Sequence, residues 1–165
     1  MPLNPRYVIV HCTDSPWGTV ESVRRYHVEE RGWADIGYHY LITNPYPDLA
    51  HIGKPDVMLD GQLWHGRDLD RDGDVEEEVG AHVHGWNRIS LGVSLVGARL
   101  RDGLGRVLGA TFTSAQIHEA LRLCRELCYR HEIPFANVLG HYEIPGVHKT
   151  CPDLDCDWFR DLLRS

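Results

Sequence analysis

The apolar positions of the chain fall into short runs whose spacing predicts interspersed strands and helices. RYVIVHC (6–12) is a β-branched run that stops at polar TDSPWG, the pattern of a buried strand entering a loop. Alternation along it puts Tyr7, Ile9 and His11 on one face and Val8, Val10 and Cys12 on the other. His11 and Cys12 should therefore point apart and not share one ion. Thr19 can cap a helix over about 20–31, with Val20, Val23 and His27 on one side and Gly32 as its stop. GYHYLIT (37–43) reads as a second strand, and VMLDGQLWH (57–65) as a hairpin turning at Asp60-Gly61. ISLGVSLVG (89–97) has the nearly continuous apolar run of a central strand covered on both faces.

Further on, TSAQ (113–116) has the spacing of a capping box, and Ile117, Leu121, Cys124, Cys128 and His131 then recur every three or four residues up to the breaker IPF. NVLGH predicts a brief strand ending at His141, and DCDWFRDLLRS a short amphipathic helix. Strands interspersed with helices over 165 residues predict one α/β domain, 1–165, with a central mixed β-sheet flanked by helices.

Composition changes this picture little. Charged residues make up 25 % of the chain, and no apolar run approaches the roughly 20 residues that span a bilayer, so no membrane segment is expected. YVIV is too short for the apolar region of a secretory signal, which predicts synthesis and folding in a reducing cytoplasm. Five cysteines cannot all pair, and in that compartment thiols serve as core residues or ligands. The net charge of -7 is concentrated in DLDRDGDVEEEV (68–79), which carries seven acidic residues and one arginine. No basic stripe with interleaved aromatics is present, which argues against a nucleic-acid partner.

Three potential metal ligands fall where the chain turns: His11 and His141 at strand ends, and Cys151 in the loop GVHKTCPDLD. Two imidazoles and a thiolate suit a catalytic zinc that keeps one position for water. Cys151 has other readings: a nucleophile with His141 or His148 as base, or an ordinary buried thiol. Spacing alone does not choose among them.

The ordered blocks VIVHCTDSP, GWADIGYHYLI, GAHVHGWNRISLGVSLVG, TSAQ and LGHYEIPGVHKTCPDLD resemble the type 2 N-acetylmuramoyl-L-alanine amidases. That family includes phage lysozymes of the amidase type and animal peptidoglycan recognition proteins. The resemblance spans about residues 6–160 and implies Zn2+-dependent cleavage of the amide between N-acetylmuramic acid and L-alanine in peptidoglycan. It implies His11, His141 and Cys151 as the metal ligands, with Tyr38 of GYH and Lys149 of KTC as catalytic partners able to stabilise an oxyanion. His82 and, beside it, Asn87 are implied as substrate contacts, and His148 as a substrate contact or a neighbour of the ligands. In a regular strand His39 would face away from Tyr38 and make a core hydrogen bond, and packing or solvent is the expectation for His27, His118 and His131.

The expected role is that of a phage or prophage endolysin, a monomer that reaches the cell wall after release. A recycling amidase acting on muropeptide fragments, or a non-catalytic peptidoglycan-binding module, would carry the same blocks. Two segments exceed the shortest phage enzymes: 44–61, and the acidic loop 68–79. The latter nearly matches a calcium loop but has Val79 where the twelfth-position glutamate belongs, so a solvated loop beside the cleft is expected.

Overall fold

A computed structural model describes residues 3–104 and 107–165 of the chain. Its central sheet joins β1 (Tyr7–Cys12), β2 (Tyr40–Ile42), β3 (Leu63–His65), β4 (Ser90–Leu95) and β7 (Val138–Gly140) in the order β3-β2-β4-β1-β7. β4 runs parallel to β1 and to β2, β7 runs parallel to β1, and β3 is antiparallel to β2, so the sheet is mixed as expected. A separate hairpin pairs β5 (Arg99–Arg101) with β6 (Val107–Ala110), which the hydrophobic pattern did not announce.

Period-two alternation divides the sheet into two chemically different faces. Val8, Val10, Tyr40, Ile42, Leu91, Val93 and Leu95 pack against Leu123, Cys124 and Leu127 of α2 (Ser114–Arg130), and Phe159 and Leu163 of α3 (Cys156–Arg164) join the same core. Each such side chain fully buried contributes about 1.5–3 kcal/mol relative to exposure. The capping box at Thr113 forms as predicted, with Gln116 returning its side chain to the cap. The opposite face carries Ile9, His11 and Leu41, and it is covered by α1 (Val20–Arg25) and by loops that bring Ile36, Val83 and Ile144. One face is thus apolar scaffold, and the other is free for chemistry.

Local differences from the expected pattern have physical causes. The first helix keeps its Thr19 cap but is α-helical only to Arg25 and continues as a π turn over Tyr26–Glu30, closed by Arg31 N–H donating to the Tyr26 carbonyl at 3.2 Å. The Asp60-Gly61 turn forms, but β3 pairs back on β2 instead of on residues 57–59. Gly61 N–H donates to Thr43 O at 2.9 Å and Thr43 N–H to Gln62 O at 3.0 Å, while Val57 and Met58 are each 74 % exposed. The acidic loop lies away from His11, His141 and Cys151 and borders a separate cavity of about 600 Å³ beside Tyr40 and Arg122. Its own carboxylates accept its backbone N–H groups, and Glu76 anchors it to Tyr40 of β2 and to Arg130 and His131 at the end of α2. Asp68, Asp70 and Asp72 do bring their oxygens together. The five cysteines are free, and among the described residues no helix is long and apolar enough to cross a membrane.

Candidate functional site

The site assembles where two parallel strands end side by side. His11, the fifth residue of β1, points to the chemical face; His141 follows β7 directly, and the loop before α3 returns Cys151 to both. Tyr142 N–H donates to the Cys151 carbonyl at 2.9 Å, which ties the His141 turn to the cysteine loop. Close packing there requires glycine: a Cβ on Gly140 would stand 2.7 Å from Cys156 Sγ and 3.0 Å from Pro152 Cδ. Glu143 caps the same turn by accepting Gly140 N–H at 2.7 Å.

One ligand atom from each of His11, His141 and Cys151 lies within 4.8 Å of the other two. His11 Nδ1 is 3.8 Å from Cys151 Sγ. Bonds of about 2.0 Å to nitrogen and about 2.3 Å to sulfur at a tetrahedral angle would separate the two donors by roughly 3.5 Å, so the group can hold a metal ion with little movement. Cys12 stays out of the group; its backbone N–H donates to Cys151 Sγ at 3.3 Å. Hydrogen bonding from Cys12 holds the Cys151 thiol well below its ordinary pKa, against the effect of burial and with help from His11 and His141. Burial lowers the pKa of His11, and the Lys149 charge acts in the same direction. Both tendencies favour a thiolate and a neutral imidazole, the forms that bind metals.

All three donors open on a cleft of about 1030 Å³, whose walls include Trp17, Arg31, Trp33, Tyr38, His148 and Lys149. The Tyr38 ring stands 5.1 Å from that of His11, and burial pushes its phenol well above the ordinary value, with Cys151 and Cys12 adding to the shift. Lys149 and His148 are exposed on the cysteine loop. Of the two long segments, 44–61 reaches the cleft through Pro47 and Asp48, whereas no residue of 68–79 lines it.

His82 borders the cleft but is only 8 % exposed, and its Nδ1 lies 3.0 Å from His11 Nε2. Asn87 is placed differently from His82. It does not line the cleft, and its Oδ1 accepts the backbone N–H groups of His82 at 2.9 Å and Val83 at 2.8 Å, so it holds the loop that carries His82. His39 makes the expected core hydrogen bonds, from Gly92 N–H to its Nδ1 and between its Nε2 and the Glu78 carbonyl, both 2.8 Å. The sequence reading missed the glycines around His82. The interruption of an apolar strand by Gly92 was the available signal, since such a glycine marks a close approach.

An α/β domain that gathers two imidazoles and a thiol on the floor of a cleft has the build of a metallohydrolase. The family described as N-acetylmuramoyl-L-alanine amidase matches residues 1–153, and the chain belongs to that family and is an amidase of this kind. The endolysin of Enterobacteria phage K11 is 32 % identical over 149 residues, covering 88 % of this chain and 79 % of its own. That of Escherichia phage T7 is 32 % identical over 151 residues, covering 90 % and 80 %. Among solved structures, the N-acetylmuramoyl-L-alanine amidase LysC from Clostridium intestinale URNW superposes with a TM-score of 0.69 at 22 % identity, over 98 % of this chain and 87 % of that one, a likeness of fold.

Proposed function

We propose that the protein is a zinc-dependent endolysin of a phage or prophage, cleaving the amide between N-acetylmuramic acid and L-alanine in peptidoglycan. The observation that carries this reading is the convergence of His11, His141 and Cys151 in the cleft that Tyr38 and Lys149 also line. The three donors would hold the ion, and two borderline imidazole nitrogens with a soft thiolate suit zinc. When bound, zinc supplies Lewis acidity, which activates water near neutral pH and polarises a carbonyl.

The chain's own residues account for the rest. Tyr38, held in its protonated form by burial, offers a phenolic O–H to the oxygen that gains charge as the amide is attacked. Lys149 brings a positive charge to the same cleft. Each such donor is worth about 3 kcal/mol of barrier. Walls containing Trp17 and Trp33 present flat apolar surfaces against which a sugar ring or stem peptide can stack, and His148 stands at the rim as a substrate contact.

The test is incubation of the purified protein with sacculi, with and without a chelator. New L-alanine amino termini that vanish on chelation and return with zinc are expected. Their absence with zinc in excess would refute the peptidoglycan reading, and cleavage that ignores the chelator would replace the zinc site by a Cys151 nucleophile. Cys151→Ser should lose both activity and zinc.

A further inference from the structure

We propose that His82 is a positioning residue: it accepts a hydrogen bond from His11 Nε2 and so fixes the ring and tautomer that leave His11 Nδ1 free for the metal. The inference rests on the zinc reading above. His11 Nδ1 faces the donor group, 3.8 Å from Cys151 Sγ, while Nε2 is turned to His82 Nδ1 at 3.0 Å. A ligating nitrogen carries no proton, so the proton of neutral His11 sits on Nε2 and points at His82. His82 must then present an unprotonated Nδ1, with its own proton on Nε2.

Two features show that the fold is built around this ring. Gly80 and Gly92 flank it: a Cβ on Gly92 would stand 2.8–2.9 Å from three of its ring atoms, and one on Gly80 2.5 Å from Cδ2 and 2.9 Å from Nε2. Neither glycine has a positive φ that would require glycine for the backbone's sake. The Asn87 side chain holds the backbone at this point by accepting the N–H groups of His82 and of Val83. His82 is also an expensive way to fill this space, because its Nε2 is buried with no hydrogen bond of good geometry, only an interaction with the Ser90 backbone. Leaving such a group unpaired costs about 1–3 kcal/mol, and an apolar side chain would avoid that cost. What the imidazole provides in return is the acceptor for His11. Ligating histidines commonly donate their second nitrogen to such a partner, whose loss weakens metal affinity about 10–100-fold.

The test compares zinc dissociation constants of the wild-type protein, His82→Leu and His82→Asn, measured by competition with a chromophoric chelator, alongside the Tm of each apo protein. Asparagine places an acceptor oxygen where Nδ1 was; leucine has similar bulk and no acceptor. Both lose the inner half of the ring, so a packing role would affect them alike. His82→Leu is expected to bind zinc about 10–100-fold more weakly and His82→Asn to stay within about 3-fold of wild type. Should the leucine variant not fold, His82→Ala supplies the same acceptor-free comparison. Equal affinities in the variants with and without the acceptor would overturn the inference. A wild-type protein that holds no zinc would instead refute the zinc reading and this inference with it.

Discussion

Replacing Arg160 by methionine should loosen the turn that carries His141, and the size of the effect can be worked from its partners. The guanidinium donates to Glu143 Oε2 at 2.8 Å, to Glu143 Oε1 at 2.7 Å and to the Val138 carbonyl at 2.9 Å. Glu143 in turn accepts Gly140 N–H, so the ion pair closes a bracket around the strand end and the turn between 138 and 143. Removing one member of a buried pair typically costs about 3–5 kcal/mol. The Glu143 side chain is 21 % exposed and keeps its backbone partner, so water recovers part of that loss. A destabilisation of about 2–4 kcal/mol follows, equivalent to a Tm lower by roughly 5–15 °C for a chain of this length. Urea unfolding followed by tryptophan fluorescence reads it, with an unchanged m value showing that the folded state is otherwise intact. Glu143→Gln and the double variant complete a cycle whose coupling should reach about 2 kcal/mol. Asp157, 90 % exposed though also bonded to Arg160, should matter little when changed to asparagine. A loss below about 1 kcal/mol for Arg160→Met, or additivity across the cycle, would refute the claim that this pair secures the His141 turn.

Stability should fall as pH drops from about 6.5 to about 4. Burial lowers His27 and His39 each to about 4, below the unfolded value of 6.5, so the folded protein binds fewer protons in that window. Their contribution is complete above pH 6.5 and is lost on acidification, up to about 3 kcal/mol per ring. Urea midpoints measured from pH 7.5 to 4 test this, and a flat profile would contradict it. Lys149→Met should leave folding and zinc content unchanged, because the side chain is exposed, while lowering kcat about 100–1000-fold. Steady-state turnover within about 3-fold of wild type would exclude Lys149 from transition-state stabilisation.

Local pattern was a sound guide to the fold wherever one element decides its own structure. The caps at Thr19 and Thr113 depend on residues three positions away, and the run 89–97 announces its burial by composition alone. It failed where pairing is settled by distant residues. Whether Leu63–His65 folds back on 57–59 or adds to β2 depends on which strand edge is free, and β2 offers one because β4 occupies only its other side. The acidic loop looked like a neighbour of the cleft because charge says nothing of direction. Glu76 carries it to the end of α2 by meeting the Tyr40 phenol, the Arg130 guanidinium and the His131 imidazole there.

The site divides in the same way. The group able to hold a metal was legible because metal ligands come from a few residue types, and the ordered blocks pointed to His11, His141 and Cys151, which the fold brings together. Their support was not, because the partner of a ligand is chosen by register between elements. His82 reaches His11 across 71 positions only because strand alternation points His11 to the loop face and Gly92 leaves room above β4. A residue in that position resembles a substrate contact in sequence, being a histidine in a family block next to the cleft. Burial favours the positioning role: the ring borders the cleft but is 8 % exposed, with one nitrogen turned to His11 and the other enclosed. The glycine inside an otherwise apolar strand follows from the same demand, since space for an imidazole against a sheet exists only where the strand gives up a side chain.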